Sequence, residues 1–333
     1  MKITFKIQKY QTEAVDSLVK CFEGQQFADK VQYLRDKGLM PKFVKQEVQT
    51  ELFEKEKTEE EQLEEADNGY RNAELVLSEK ELLDNIHKIQ DKNFIIHSAK
   101  IEKTANRPSF DIEMETGTGK TYVYTKTMYE LNKAYGWSKF MIVVPSVAIR
   151  EGIFKSLEYT QEHFMEHYGK KIRFFIYNSK RLNMIDQYSS SADINVMIIN
   201  TQAFNTSLNK EKNIEGRKGN EAARIIYTKR DEFVSRRPID VIAANHPILI
   251  LDEPQKMGGD ATQKALEQFK PLFTINYSAT HKVHHNLVYR LDALDAYNQK
   301  LVKKIKVKGF KLENIAGTQT YIYAENIILS PKQ

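Results

Sequence analysis

Apolar and polar positions along the chain repeat with two different periods. Near the start, Tyr10, Ala14, Val15, Leu18, Val19 and Phe22 recur at helical spacing and the pattern stops at Gly24, which predicts one amphipathic helix. Further on, short apolar runs stand between turn or polar residues at 140–144, 172–177, 196–199 and 248–251, with a fifth around 273–277. The alternation of Phe110, Ile112 and Met114 adds a sixth candidate strand. Continuous runs of this length predict strands buried on both faces, as in a parallel sheet covered by helices. Helical patterns lie between them at 121–134 and 148–168, closed by Gly136 and Gly169. Strands alternating with helices predict an α/β fold: a doubly wound, mostly parallel sheet with helices on both faces. Residues 27–93 are polar, rich in Lys, Glu and Gln and weakly periodic, and are expected to form a helical insertion. The polar stretch 205–245, with Gly216, Gly219, Arg236 and Arg237, is expected to be a long surface excursion.

Composition narrows the class. A chain of 333 residues can bury one large core or two modest ones. With 41% hydrophobic and 29% charged residues, and no apolar run of about 18 residues, it is expected to be globular with no membrane partner. The N-terminus shows neither an apolar h-region nor a small-residue cleavage site, so no secretory signal is expected. A single cysteine, Cys21, cannot form an internal disulfide, and a reducing cytoplasmic location follows as the default. Cys21 lies among apolar helical positions, which points to a packed thiol. The net charge of +5 says little, but its distribution is uneven. Residues 51–66 are strongly acidic, as a solvated face would be, and 300–311 carry six lysines and no acid. The lysine-rich stretch fits an exposed strand and a phosphate-contacting edge equally well.

The densest chemistry lies at 114–121, Met-Glu-Thr-Gly-Thr-Gly-Lys-Thr, after a candidate strand and before a helix. In a P-loop, backbone N–H groups and the positive end of the helix dipole cradle phosphates, and glycine is needed where the backbone approaches them closely. Thr116, Gly117, Thr118 and Gly119 supply that loop, Lys120 would reach the β- and γ-phosphates of ATP, and Thr121 would ligate Mg2+. Met114 stands where the general pattern has its first glycine. A Gly-Thr-rich turn that happens to carry a lysine remains the alternative for the motif taken alone.

The run 248–251 leads directly into Asp252-Glu253, which places two carboxylates at the C-terminal end of a buried strand, the edge where open α/β sheets bind ligands. Asp252 would hold the metal, and Glu253 would position and deprotonate the attacking water. Alone, such a pair is often a helix cap or surface turn. Together with Lys120 and Thr121 it reads as the second half of a nucleotide site. A later run ends in Ser278-Ala279-Thr280, hydroxyls that can relay the state of a phosphate site. His281, His284 and His285 follow without a cysteine or clustered acids, which favours a polar loop over a zinc centre.

Taken together, these segments resemble the superfamily-two helicases, and more closely the Res subunit of type III restriction enzymes. Lys9-Tyr10-Gln11, the 114–121 loop, Val-Val-Pro-Ser-Val-Ala-Ile-Arg-Glu-Gly at 143–152, Ile-Ile-Asn-Thr-Gln-Ala-Phe at 198–204, Asp-Glu-Pro-Gln-Lys at 252–256 and Tyr-Ser-Ala-Thr-His at 277–281 carry the likeness. The resemblance implies a RecA-like motor lobe over 94–310, preceded by an adenine-contacting helix (1–26) and the insertion (27–93), with 311–333 beginning a second lobe or a tail. By the same resemblance Gln11 would contact adenine, and Pro145, Ser146, Arg150, Thr201 and Gln202 would lie along the DNA backbone, with Ser278 and Thr280 as coupling residues. DNA and a modification methyltransferase subunit are the implied partners.

A second-lobe Gln-x-x-Gly-Arg-x-x-Arg segment and an Asp…Glu-x-Lys nuclease constellation are not found in the sequence. The chain is therefore expected to be the N-terminal portion of a larger enzyme or a truncated product, hydrolysing ATP poorly by itself and not cutting DNA. Two other readings stay open: a P-loop enzyme such as a small-molecule kinase, and a non-catalytic module that docks to the methyltransferase.

Overall fold

The computed structural model describes residues 5–35, 68–205, 224–281 and 283–303. Its frame is an eight-stranded sheet. Seven strands run parallel in the order β10-β4-β9-β8-β5-β7-β6, and β3 pairs antiparallel with β4. The strands are β3 (Lys103–Thr104), β4 (Arg107–Met114), β5 (Lys139–Val144), β6 (Arg173–Ile176), β7 (Asn195–Asn200), β8 (Ile248–Asp252), β9 (Thr274–Ser278) and β10 (Leu287–Leu291). Every residue of β5, β7, β8 and β9 is buried, as the continuous apolar runs require.

Alternation along each strand divides the core into two layers. Ile112, Ile142, Ile198, Ile250 and Ile275 face one apolar cluster, and Met141, Val143, Ile199, Leu249 and Leu251 face the other. The first layer is closed by α1 (Lys9–Val19), α2 (Glu79–Lys92), α3 (Lys120–Tyr135) and α4 (Val147–Tyr168). The second is closed by α5 (Asn183–Ser190), α6 (Pro238–Ala243) and α7 (Asp260–Gln268). A last helix, α8 (Ala293–Asn298), follows β10. Each fully buried aliphatic side chain contributes about 1.5–3 kcal/mol, so the sheet holds its loops on a stiff platform. No helix among the described residues is long and apolar enough to cross a membrane.

Three features differ from the sequence expectation. The region 27–93 is not simply a helical insertion: its described parts hold the antiparallel pair β1 (Val31–Leu34) and β2 (Asn68–Arg71) as well as α2. Asn72 explains why the chain after β2 is stitched down. It is 1% exposed, donates to the carbonyls of Lys139 and His246, and accepts the N–H groups of Ser138 and Lys139. Residues 36–67, including the acidic block, lie outside the described residues, as do 206–223 and 304–333, which hold most of the lysine-rich stretch.

The second difference is in 205–245, where Ile226, Phe233, Ile239 and Ile242 are buried in the second apolar layer, so the described part of this stretch is a core element and not a surface excursion. The third is β10, which pairs in parallel with β4 and was not legible as a strand.

Gly136 ends α3 with φ +81°, and a Cβ there would stand 2.4 Å from the carbonyl oxygen of Ala28. Gly136→Ala is expected to cost about 2–3 kcal/mol from the left-handed backbone and the clash together, read as a lower midpoint in thermal unfolding.

Candidate nucleotide site and its neighbours

The loop after β4 turns at Gly117 (φ +86°) and Gly119 (φ +90°), conformations that side chains rarely adopt. At Gly119 a second constraint applies, because a Cβ would lie 2.6 Å from Gln11 Nε2, whereas Gly117 faces open space. Thr118 is tied inward: its hydroxyl donates to the carbonyl of Glu115 at 2.6 Å. Its own carbonyl accepts from Tyr10 Oη at 2.9 Å and Gln11 Nε2 at 3.1 Å. No side chain caps the N-terminus of α3, which leaves its first N–H groups and the positive end of its dipole toward the loop. Thr116 is exposed at the rim, and Thr121 sits within reach of the Tyr124 hydroxyl.

Opposite this loop, β8 delivers Asp252 as its last residue, and Glu253 follows with φ +59°. That left-handed residue turns its side chain toward the loop, where Glu253 Oε1 pairs with Lys120 Nζ at 3.0 Å. Lys120 Nζ also reaches the Met114 carbonyl at 3.4 Å. Burial alone would raise the Glu253 pKa, but the hydrogen bond and charge of Lys120, with Gln255 and Lys256, outweigh it and the pKa is lowered. Asp252 is 7% exposed. Burial first and the Glu253 charge second raise its pKa to about 6, against the pull of Lys120 and Lys256. The same carboxylate contributes to the raised pKa of Tyr124, whose main cause is burial.

This donor set suits Mg2+. A buried carboxylate whose neighbouring lysine is committed elsewhere, together with a threonine hydroxyl at a helix start, offers the hard oxygen ligands that the ion takes alongside phosphate and water. Among the described residues no group of three or more His, Cys, Asp or Glu could hold a metal by itself, and that includes His281, His284 and His285.

From Glu253 a chain of hydrogen bonds leads along the edge. Gln255 Nε2 donates to Glu253 Oε2, and the Ser278 hydroxyl lies 2.9 Å from Gln255 Oε1. Ser278 Oγ in turn accepts the N–H of Thr280 at 3.1 Å. Sequence reasoning picked out Ser278 and Thr280 but gave Gln255 no role. Its only signal was its place two residues after the acid.

The remaining predicted residues gather farther along the same C-terminal edge, at the ends of β5 and β7. Pro145 and Ser146 follow β5, and Ser146 caps α4 by accepting the N–H of Ile149. Arg150 is held by two partners, Asn200 Oδ1 at 3.0 Å and Glu151 Oε1 at 2.9 Å. Thr201 and Gln202 lie in the short turn after β7. An open groove of about 290 Å3 is lined by Val147, Arg150, Asn200 and Gln202, among others. A larger groove, about 1000 Å3, lies at the opposite end of the sheet beside Lys170, Lys171 and Asp193, and contains none of the predicted residues. Size alone therefore does not mark the site.

Comparison with known proteins places the chain in a family. The family model described as "Type III restriction enzyme, res subunit" matches residues 4–283. The chain is 34% identical over 248 residues to the EcoPI Res subunit of Escherichia phage P1, an alignment covering 70% of this chain and 25% of that protein. It is 33% identical over 248 residues to the EcoP15I Res subunit of Escherichia coli, with the same coverage, and 29% identical over 271 residues to the StyLTI Res subunit of Salmonella typhimurium, covering 71% and 26%. The chain spans about a quarter of the length of these relatives. A match over most of the chain, on a parallel sheet that brings the loop at 114–121 against Asp252 and Glu253, places it plainly: this chain belongs to the Res-subunit family of type III restriction enzymes.

Proposed function

We propose that the chain is the ATP- and Mg2+-binding, DNA-binding motor lobe of a helicase-like, ATP-dependent restriction endonuclease, working in the cytoplasm with a second lobe and a modification methyltransferase subunit. The observation that carries this reading is the Lys120–Glu253 pair at 3.0 Å, with the buried Asp252 beside it. A lysine at the start of α3 and two carboxylates at the end of β8, far apart in sequence, meet beside the loop at 114–121.

In this reading Gly117, Gly119 and the N–H groups at the start of α3 cradle the phosphates, while Gln11 holds the loop and borders the adenine. Lys120 leaves Glu253 for the β- and γ-phosphates, a stronger partner by charge. Thr121 and Asp252 would hold Mg2+, which would supply charge neutralisation to the bound phosphates. Loss of its lysine partner makes Glu253 more basic at the moment it is needed to orient and deprotonate water. Gln255 then passes the change from Glu253 to Ser278 and Thr280. Pro145, Ser146, Arg150, Thr201 and Gln202 would follow the DNA backbone through hydrogen bonds and one fixed positive charge.

The direct test is titration of the chain with a fluorescent ATP analogue and Mg2+, then with a DNA duplex. A small-molecule kinase would bind the first and ignore the second. A docking module that has lost its motor role would bind a methyltransferase subunit equally well with Lys120 replaced.

A pH dependence follows from Asp252. Its pKa in the folded chain, about 6, lies above the ordinary carboxylate value of 3.8. Proton binding thus favours the folded state: Asp252 contributes stability below pH 4 that is lost as pH rises through about 6, on the order of 3 kcal/mol. Glu253 acts oppositely, since its lowered pKa gives stability that is lost on acidification. Metal binding needs Asp252 ionised, so Mg2+-dependent nucleotide affinity is expected to fall about tenfold between pH 7.5 and pH 5. Asp252→Asn should bind weakly with a flat profile over that range. A wild-type profile equally flat would sink the assignment of Asp252 to the metal.

A further inference from the structure

Behind the nucleotide loop, β4 carries a carboxylate that the site does not use. Asp111 is fully buried, at 0% exposure, three positions before Met114 where the strand ends. Isolating a carboxylate from water is costly unless it is well paired. Two imidazole nitrogens stand beside it, His285 Nδ1 at 3.5 Å and His281 Nδ1 at 3.8 Å. Its oxygens accept the backbone N–H of His285 at 2.6 Å and Asn276 Nδ2 at 2.7 Å. The other nitrogen of the His281 ring, Nε2, lies 3.4 Å from the carbonyl of Ile112, the next residue on the same strand. The backbone N–H of Asp111 donates to Asn286.

These contacts fasten to β4 the residues that immediately follow Ser278-Ala279-Thr280. Thr280 is already linked to the nucleotide site through Ser278, Gln255 and Glu253. It is thus held from two sides: by hydrogen bonds crossing β8 and β9, and through His281 by the strand whose end becomes the phosphate loop.

We propose that Asp111 is a positioning residue, which through His281 and His285 makes the Ser278–Thr280 segment move with the phosphate loop. Nucleotide entry, which draws Lys120 away from Glu253, then shifts both ends of one closed mechanical loop. Without the Asp111 anchor, the hydrogen bonds through Gln255 would still form, but the outgoing residues would no longer follow β4. The inference rests on the proposed nucleotide site, and the experiment separates the two.

Amide hydrogen exchange is measured on the whole chain with and without a non-hydrolysable ATP analogue and Mg2+, for wild type and Asp111→Asn. Asparagine keeps the size of the side chain and an acceptor for the His285 N–H, and it sets an amide donor where Asn276 Nδ2 found an acceptor. The wild type is expected to show slower exchange over 278–286 when nucleotide binds. Asp111→Asn is expected to bind nucleotide with unchanged affinity, to unfold at a lower thermal midpoint and to lose that nucleotide-dependent slowing. A merely structural Asp111 would raise exchange equally with and without nucleotide, and a retained difference in the variant overturns the proposal. So does a wild type that binds nucleotide with no change over 278–286. A wild type that binds no nucleotide overturns the site itself. His281→Gln leaves β4 intact and is expected to give the same loss, should Asp111→Asn fail to fold.

Discussion

Replacing Lys120 with alanine is expected to weaken binding of Mg2+–ATP by about a hundredfold or more, because two charge-assisted contacts to phosphate are each worth about 1.5–3 kcal/mol. Stability should fall as well, by about 1–3 kcal/mol: with side chains 12% and 18% exposed, the Lys120–Glu253 pair is largely shielded from water, and the variant leaves Glu253 without its ionic partner. The titration that follows a fluorescent ATP analogue reads the first effect, and thermal unfolding of the same samples reads the second. Equal affinity in wild type and Lys120→Ala would mean that the loop at 114–121 is a glycine turn with an incidental lysine.

The second large effect has two parts of opposite sign. Glu253→Gln removes the group proposed to take the proton from water, a role usually worth about 10²–10⁴ in rate. It also releases Lys120 from its ionic partner, so nucleotide should bind as tightly as in wild type or more tightly. Single-turnover hydrolysis with the chain in excess measures the first, and the same titration measures the second. Hydrolysis lost together with binding would instead make Glu253 a structural support for Lys120. Undiminished hydrolysis would move the base elsewhere, with Asp252 the nearest titratable alternative.

The central sheet was readable because strands buried on both faces have a simple signature, four or more apolar residues with nothing between them. The runs at 140–144, 196–199 and 248–251 became β5, β7 and β8, within a residue or two. β10 escaped because Leu287, Val288 and Tyr289 are followed by the exposed Arg290, and a short edge strand is set by pairing to β4 more than by pattern. The helix α6 escaped for a related reason. Its apolar residues Ile239, Val241, Ile242 and Ala243 form too short a run to show helical periodicity, and burial under the second layer settles their conformation.

At the site, spacing and strand context pointed to Lys120, Asp252 and Glu253. The pairing of Lys120 with Glu253 was not legible, because it depends on the left-handed turn at Glu253 that swings the carboxylate inward. Gln255 and Asp111 were missed for a common cause. Gln255 meets Ser278, and Asp111 meets Asn276 and the His285 N–H, partners that the sheet brings close although they are remote in the chain. Gln11 was assigned to adenine by resemblance, and the contact observed here is to the loop itself, through the carbonyl of Thr118.

The most direct measurement is a double-mutant cycle on Mg2+–ATP affinity with Lys120→Ala, Asp252→Asn and the pair combined. If both groups grip one metal-bridged triphosphate, the losses should be non-additive by more than about 1 kcal/mol, the double variant being little worse than either single one. Losses that add to within about 0.5 kcal/mol would show that Lys120 and Asp252 act on separate ligands, and the proposed motor site would be contradicted.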